Sequence, residues 1–442
     1  MKHRLPLVAV AAGVLAACGG GPRPAAVTPE EIPGLITASQ QNPQDAAPRF
    51  RLAAALAAAQ RCDTATVVAR AAQQLEPDNV LGPLVVGGCQ EQAGRDDEAV
   101  ATYNDFAAQH PNVRGVAALR AKAQLALRTA AERTARQALA REAELAQQPP
   151  LAATVAVLPL VIAGDSSVQP LSRGLAELLT TDLAYIRRLR LLERLQIGVL
   201  LDELKLGESA RVDPATAARV GRLLRAERMV QGTATIPPHG PVQLSATVVT
   251  GTGVVRPVGQ VTGPFPKLLD LEKQVVFDLA AQLGIMLTQA ERERILRQGP
   301  KNLAAFLAYS RGLDDLDRGD YAGAARSFGA AAQADPSFQA ARQGQQAAAA
   351  APLVQQATGG GIVTVVDAVR EAAISEGGSP AGSGGLLSAG TRDLAPTVGD
   401  VIATTGVPTG ASILDRQLTP EALGLPSILS VTNGIIIIFK RP

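Results

Sequence analysis

Leu192–Thr235 reads LERLQIGVLLDELKLGESARVDPATAARVGRLLRAERMVQGTAT, and its reading decides the fold. Arg194–Leu204 carries apolar residues at helical spacing and stops at Gly207, a residue suited to a helix C-terminus. Asp213-Pro214 opens a second helix, with Asp as cap and Pro in the first turn. Ala217, Val220, Leu223 and Leu224 form its inward face, and Arg228–Thr235 follows as a strand. Upstream, Thr154–Leu160 is a continuous apolar run, the pattern of a buried strand. Leu171, Leu175, Leu178, Leu179 and Ile186 share one face of a helix, and Arg190–Glu193 is a short strand. Downstream, Val242–Thr250 alternates, Thr250-Gly251-Thr252-Gly253 turns, and Val254–Thr262 returns before an amphipathic helix at Lys267–Leu287. This order predicts an α+β domain: a mixed β-sheet with helices packed on it.

The phrases LLDELKLG and DPATAARVGRLL, with the strands around them, resemble the curli-secretion lipoprotein (CsgG) family and, more loosely, the TolB amino-terminal domain. The resemblance covers Ala152–Leu296. It implies a module that self-assembles into rings at a bacterial envelope. Founding members of the family insert membrane-spanning hairpins and form a secretion pore, and a peptidoglycan-synthase activator, whose fold is related, is the other alternative to a scaffold role. A spanning strand needs about 9–11 alternating residues. Val242–Thr262 is the one hairpin of near that size, and the sheet already uses it, so a pore is the secondary expectation.

Helical repeats flank this domain. Pro43, Pro77 and Pro111 recur at the 34-residue period of tetratricopeptide repeats, and Gly87, Gly94, Ala99 and Tyr103 fall at the small, turn, small and bulky positions. Residues 45–148 are therefore expected to form helical hairpins that stack on one another. Val116, Leu119, Ala123 and Leu127 continue the helix, while the Arg/Glu/Ala-rich stretch from Thr129 to Gln147 is expected to be exposed or to face a partner. A further unit spans Asn302–Pro336, with Gly312, Gly319, Tyr321, Ala324, Phe328 and Ala331 in place, and Ser337–Ala351 is its cap helix.

The chain begins with a basic stretch, Lys2, His3 and Arg4, then an apolar run Leu5–Leu15 that is too short to span a bilayer. Leu15-Ala16-Ala17-Cys18 has the form of a bacterial lipobox, which predicts a signal peptide at 1–17 and lipid attachment at Cys18. Acyl chains anchor without a spanning helix. Gly19 after the cysteine points to the outer membrane, facing the periplasm. Residues 18–44 read as a flexible tether. With Cys18 acylated, Cys62 and Cys89 remain. In the repeat register they lie on adjacent helices, so a disulfide is the expectation and two buried free thiols the alternative. After Pro352 the sequence turns Gly/Ser/Pro-rich, and residues 352–442 are expected to be a tail that ends in a small β-hairpin about Asn433-Gly434, with Ile435–Phe439 as its apolar strand.

Little here suggests chemistry. Net charge is +2, aromatic residues make up 3% and Trp is absent, which argues against nucleic-acid binding. His110 and His239 lie far apart, with no Cys or carboxylate at ligand spacing, so no metal is expected. Gly377-Gly378-Ser379-Pro380-Ala381 lacks the last glycine of a nucleophile elbow, no Gly-Lys pair exists, and Gly251, Gly253 and Gly259 do not open a helix. Asp314, Asp315, Asp317 and Asp320 lack the closing Glu of a calcium loop and read as a solvated corner between helices. Arg187, Arg188, Arg190 and Arg194 read as a solvated basic edge. The expectation is a non-enzymatic envelope scaffold with no catalytic residues, no cofactor and no small-molecule substrate. It would be held by an acyl anchor, touch protein partners through its repeats, and assemble as a homo-oligomer.

Overall fold

The computed structural model describes residues 28–206, 213–358 and 362–375. Cys18, the Gly207 cap, the Gly/Ser-rich stretch and the terminal hairpin lie outside them.

The amino-terminal part is helical: α1 (Ile32–Gln41), α2 (Ala47–Ala58), α3 (Cys62–Leu75), α4 (Leu81–Gln92), α5 (Asp96–Gln109) and the long α6 (Val116–Ala140). Hairpins α2/α3 and α4/α5 repeat with a period of about 34 residues. Gln60 and Gly94 take the same left-handed turn position, with φ of 60° and 70°. Gly87 of α4 lies against the ring of Tyr103 on α5. A Cβ there would meet the ring at 2.3 Å, so the close helix pair requires glycine. The expected tether ends earlier than its residue 44. Ile32, Leu35 and Ile36 are buried with Phe50 and Leu52, because α1 is amphipathic and finds an apolar neighbour in α2.

The central domain contains β1 (Leu151–Val157), β2 (Val161–Ala163), α8 (Leu171–Leu183), β3 (Arg190–Leu191), α9 (Arg194–Glu203), α10 (Pro214–Leu224), β4 (Ala226–Thr235), β5 (Val242–Thr250), β6 (Val255–Gly263) and α11 (Leu268–Gln282), with a short α7 (Glu142–Leu145) before it. The strand order is β3-β1-β4-β5-β6, with β2 also on β4. β1 runs parallel to β3 and β4, whereas β4, β5 and β6 are antiparallel, so the sheet is mixed. Its two faces separate along β1 with the period of two that a strand imposes. Val155 and Val157 pack with α8 and α11. Ala156 and Leu158 pack with α9 and α10.

The end of α6 belongs to that second layer: Ala131, Ala135 and Ala138 are buried with Ile197, Leu200 and Leu201 of α9. The expected exposed stretch from Thr129 is therefore partly core. Its small side chains let two helices approach closely, and α6 runs unbroken from the repeats into the sheet domain.

After α12 (Gln289–Arg297) the chain forms α13 (Leu303–Asp317), α14 (Tyr321–Ala334), α15 (Gln339–Thr358) and α16 (Ile362–Ser375). Phe328 of α14 fills the space left by Gly312 of α13, matching the Tyr103–Gly87 pair. α13 lies on α8, and α15 lies on α6. The domain boundary expected at Pro352 is not a boundary. Pro352 sits inside α15, and Val354 beyond it is fully buried. A tail beginning at residue 352 is corrected to a helical body reaching residue 375.

Candidate functional site

The densest polar arrangement among the described residues joins the sheet domain to the flanking helices. It gathers around Asp317, the last residue of α13. Arg173 on α8 donates from Nε to Asp317 at 2.7 Å and from Nη1 to Asp314 at 2.7 Å. Arg194, at the start of α9, donates to both Asp317 oxygens, at 2.5 and 3.0 Å, and its Nε lies 3.3 Å from Glu177. Arg128 on α6 donates to the Asp317 carbonyl at 2.8 Å, where the partial negative charge of the α13 terminus favours a cation. Four helices from all three parts of the chain thus meet at one residue: α13 carries it, α8 and α9 reach its carboxylate, and α6 reaches its carbonyl.

The electrostatics follow from burial. Burial opposes the charge on Arg194, yet the Asp317 and Glu177 carboxylates hold its pKa above the ordinary arginine value. Burial likewise works against the Asp317 charge, and Arg194 and Arg173 outweigh it and keep the carboxyl below the usual range. The solvated aspartate corner and the solvated arginine edge are each corrected at one residue, Asp317 and Arg194, whereas Asp320, Arg187, Arg188 and Arg190 are exposed. Arg194 is buried and the Asp317 side chain largely shielded because α13 docks on α8, a contact that spacing along the chain does not reveal. Docking is close. A Cβ on Gly174 of α8 would lie 1.9 Å from the Ser310 Oγ of α13.

A second buried cluster joins α8 to α11. Lys273 pairs with Asp182 and lies 3.4 Å from Glu272. Asp182 and Glu272 are almost wholly shielded from solvent. Burial pushes Asp182 up to about 6 against the pull of Lys273. Burial, together with the Asp182 charge, lifts Glu272 well above the carboxylate range. Two carboxyls facing one ammonium group cannot both ionise cheaply.

In the amino-terminal hairpins, Tyr103 donates to Glu91 at 2.6 Å and Lys122 to the same carboxylate at 2.7 Å, tying α4, α5 and α6 together. Cys62, at the start of α3, and Cys89 on α4 are joined by a disulfide with Cα atoms 5.4 Å apart. The apolar face of α2, α4 and α6 is covered by α16, whose Val365, Val366 and Val369 enter the same core.

The histidines are far from these clusters in role. His110 stacks on Phe106 at 4.6 Å and pairs with Asp78, while His239 is exposed in its turn. Among the described residues no three His, Cys, Asp or Glu side chains come together as metal ligands. A cavity of about 230 Å³ beside β1 is lined by Arg188, Glu227, Arg228 and Leu283. Its arginines are engaged within the protein: Arg188 donates to the Met286 carbonyl at 2.6 Å and Arg228 to Glu227 at 3.2 Å. No described helix is long and apolar enough to cross a membrane.

These arrangements hold helices and sheet in fixed relation. The sequence reading had Asp314, Asp317 and Arg194 in view, but not Arg128, Arg173 or Glu177, and not their meeting. The one available signal was the pairing of a four-aspartate run with an arginine run of similar size.

No curated protein matches the chain. Residues 136–236 match the family described as the curli production assembly/transport component CsgG. That span starts near the end of α6 and closes just after β4, while the same sheet continues through β5 and β6. Over residues 136–236 the centre of this chain is CsgG-like.

Proposed function

We propose that this protein is a non-enzymatic envelope lipoprotein that scaffolds the assembly or export of surface components through protein contacts. The observation that carries the reading is the CsgG-like domain held between helical hairpins by the Asp317 cluster. The family description, curli production assembly and transport, supports a secretion-linked role at the envelope. Leu15-Ala16-Ala17-Cys18 supports an acyl anchor at Cys18 on the periplasmic side of the outer membrane. The Cys62–Cys89 bridge suits an oxidising compartment. Tetratricopeptide-like hairpins suit protein partners, and ring assembly of the central domain suits a homo-oligomer.

The test uses the full chain expressed in a bacterial host. Wild type is expected to sediment with membranes and C18A to stay soluble; a C18A protein that still sediments overturns the anchor. Negative-stain imaging of detergent-extracted protein tests the assembly. Rings that sit on the micelle support the scaffold. A ring whose wall spans the micelle replaces it with a secretion pore, and monomers remove the oligomer.

A further inference from the structure

Helices α2 and α4 each contain a stretch that is apolar on every side. Leu52–Ala57 of α2 and Leu81–Cys89 of α4 are buried without interruption, whereas α3 and α5 keep exposed faces. A helix apolar all round must be covered on more than one side. Hairpin partners α3 and α5 cover one side of α2 and α4, and α16 lies across both of them and across α6. α16 is not the next helix of the stack. That place belongs to α15, which lies against α6. α16 follows α15 in sequence and crosses back over helices far earlier in the chain.

The contact has a defined chemistry. Val365, Val366 and Val369 of α16 join Ala351 and Val354 of α15 in the core of the amino-terminal hairpins. Asp367 lies among them. It pairs with Arg370 at 3.0 Å and feels the charges of Arg51 on α2 and of Glu31. Arg51 is held by Glu31 at 2.9 Å, and its buried Nε has no hydrogen-bond partner. The face therefore offers an apolar floor with one under-used guanidinium, and the helix that covers it answers with valines and a carboxylate.

We propose that the face of α2, α4 and α6 is a helix-binding groove and that α16 is its built-in competitor. A partner protein would enter by presenting an amphipathic helix of the same chemistry, with β-branched residues at i, i+1 and i+4 and a carboxylate between them. The proposal rests on the scaffold reading and specifies its partner surface. Because α16 is tethered, its effective concentration at the groove is high, and an outside helix must compete with it.

The experiment measures fluorescence anisotropy of a labelled synthetic peptide, IVTVVDAVREAAIS, titrated with the detergent-solubilised full chain. Wild type is compared with V365D/V369D, which expels α16, and with the milder V369A. At least tenfold tighter binding to V365D/V369D and a few-fold gain for V369A are expected. Equal affinity for all three proteins, or binding to none, overturns the groove. Far-UV circular dichroism checks the variants' folding, and V369A alone decides if the double variant unfolds. A wild-type dimer in native mass spectrometry that V365D/V369D abolishes would make the occupant the α16 of a second copy and overturn the partner helix. Neither result moves the sedimentation of C18A, so failure here is distinct from failure of the envelope reading.

Discussion

Asp317 shows how one carboxylate can be kept charged away from water. Three arginines converge on it, two on its side chain and one on its carbonyl. Removing one partner of a buried pair leaves the other uncompensated, typically at a cost of about 3–5 kcal/mol. R194A is expected to lower the urea midpoint accordingly, and R194A/D317A to recover part of the loss. An R194A midpoint equal to wild type would show that Arg173 suffices alone. The Asp182–Glu272 pair has the opposite sign. Both carboxyls bind protons more tightly folded than unfolded, since burial raises them. Their stabilising contribution is therefore present at low pH and is lost as pH rises, for Asp182 from about 4 through about 6. E272Q leaves a single carboxyl opposite Lys273. It is expected to stabilise the protein more at pH 8 than at pH 5, read from urea midpoints at the two values; an equal change at both removes the proposed coupling.

At the scale of elements, the hairpins are set by small-to-large contacts. Gly87 against Tyr103 and Gly312 against Phe328 fix the same helix separation in two distant parts of the chain. The disulfide adds a covalent tie between neighbouring hairpins, and its cysteines have a sequence separation of 27. Closing a loop of that length removes unfolded-state entropy worth roughly 3.5 kcal/mol. C62A/C89A is expected to lose about that much stability by urea unfolding, and alkylation of the wild type without reductant should modify neither cysteine. Full alkylation would instead reveal free thiols. α6 is the other decisive element. Leu119 and Ala123 sit in the core of the hairpins, while Ala131 and Ala135 sit in the core of the sheet domain.

At the scale of the molecule, that shared helix and the return of α13 and α15 make the parts interdependent. α13 rests on α8, α15 rests on α6, and the arginine cluster closes the seam. Calorimetry is expected to show one unfolding transition for the hairpins and the sheet domain together, although multidomain chains commonly show several. Two well-separated transitions, unchanged by R194A, would mean that the seam carries little energy.

Much of this was legible along the chain. The alternation of Val242–Thr250, the Asp213-Pro214 start and the Thr250–Gly253 turn are local signals, because a strand, a cap and a tight turn each depend on neighbours in sequence. The 34-residue recurrence placed the hairpins for the same reason. Only tertiary structure decided that Arg194 and Asp317 meet, that the alanines of α6 are core, and that α16 lies on α2 and α4. Those contacts join residues far apart in sequence. An arginine beside a strand, an alanine-rich helix and a valine-rich segment carry the same local pattern whether water or another helix covers them. What determines the outcome is which surface is left apolar once the local elements have formed.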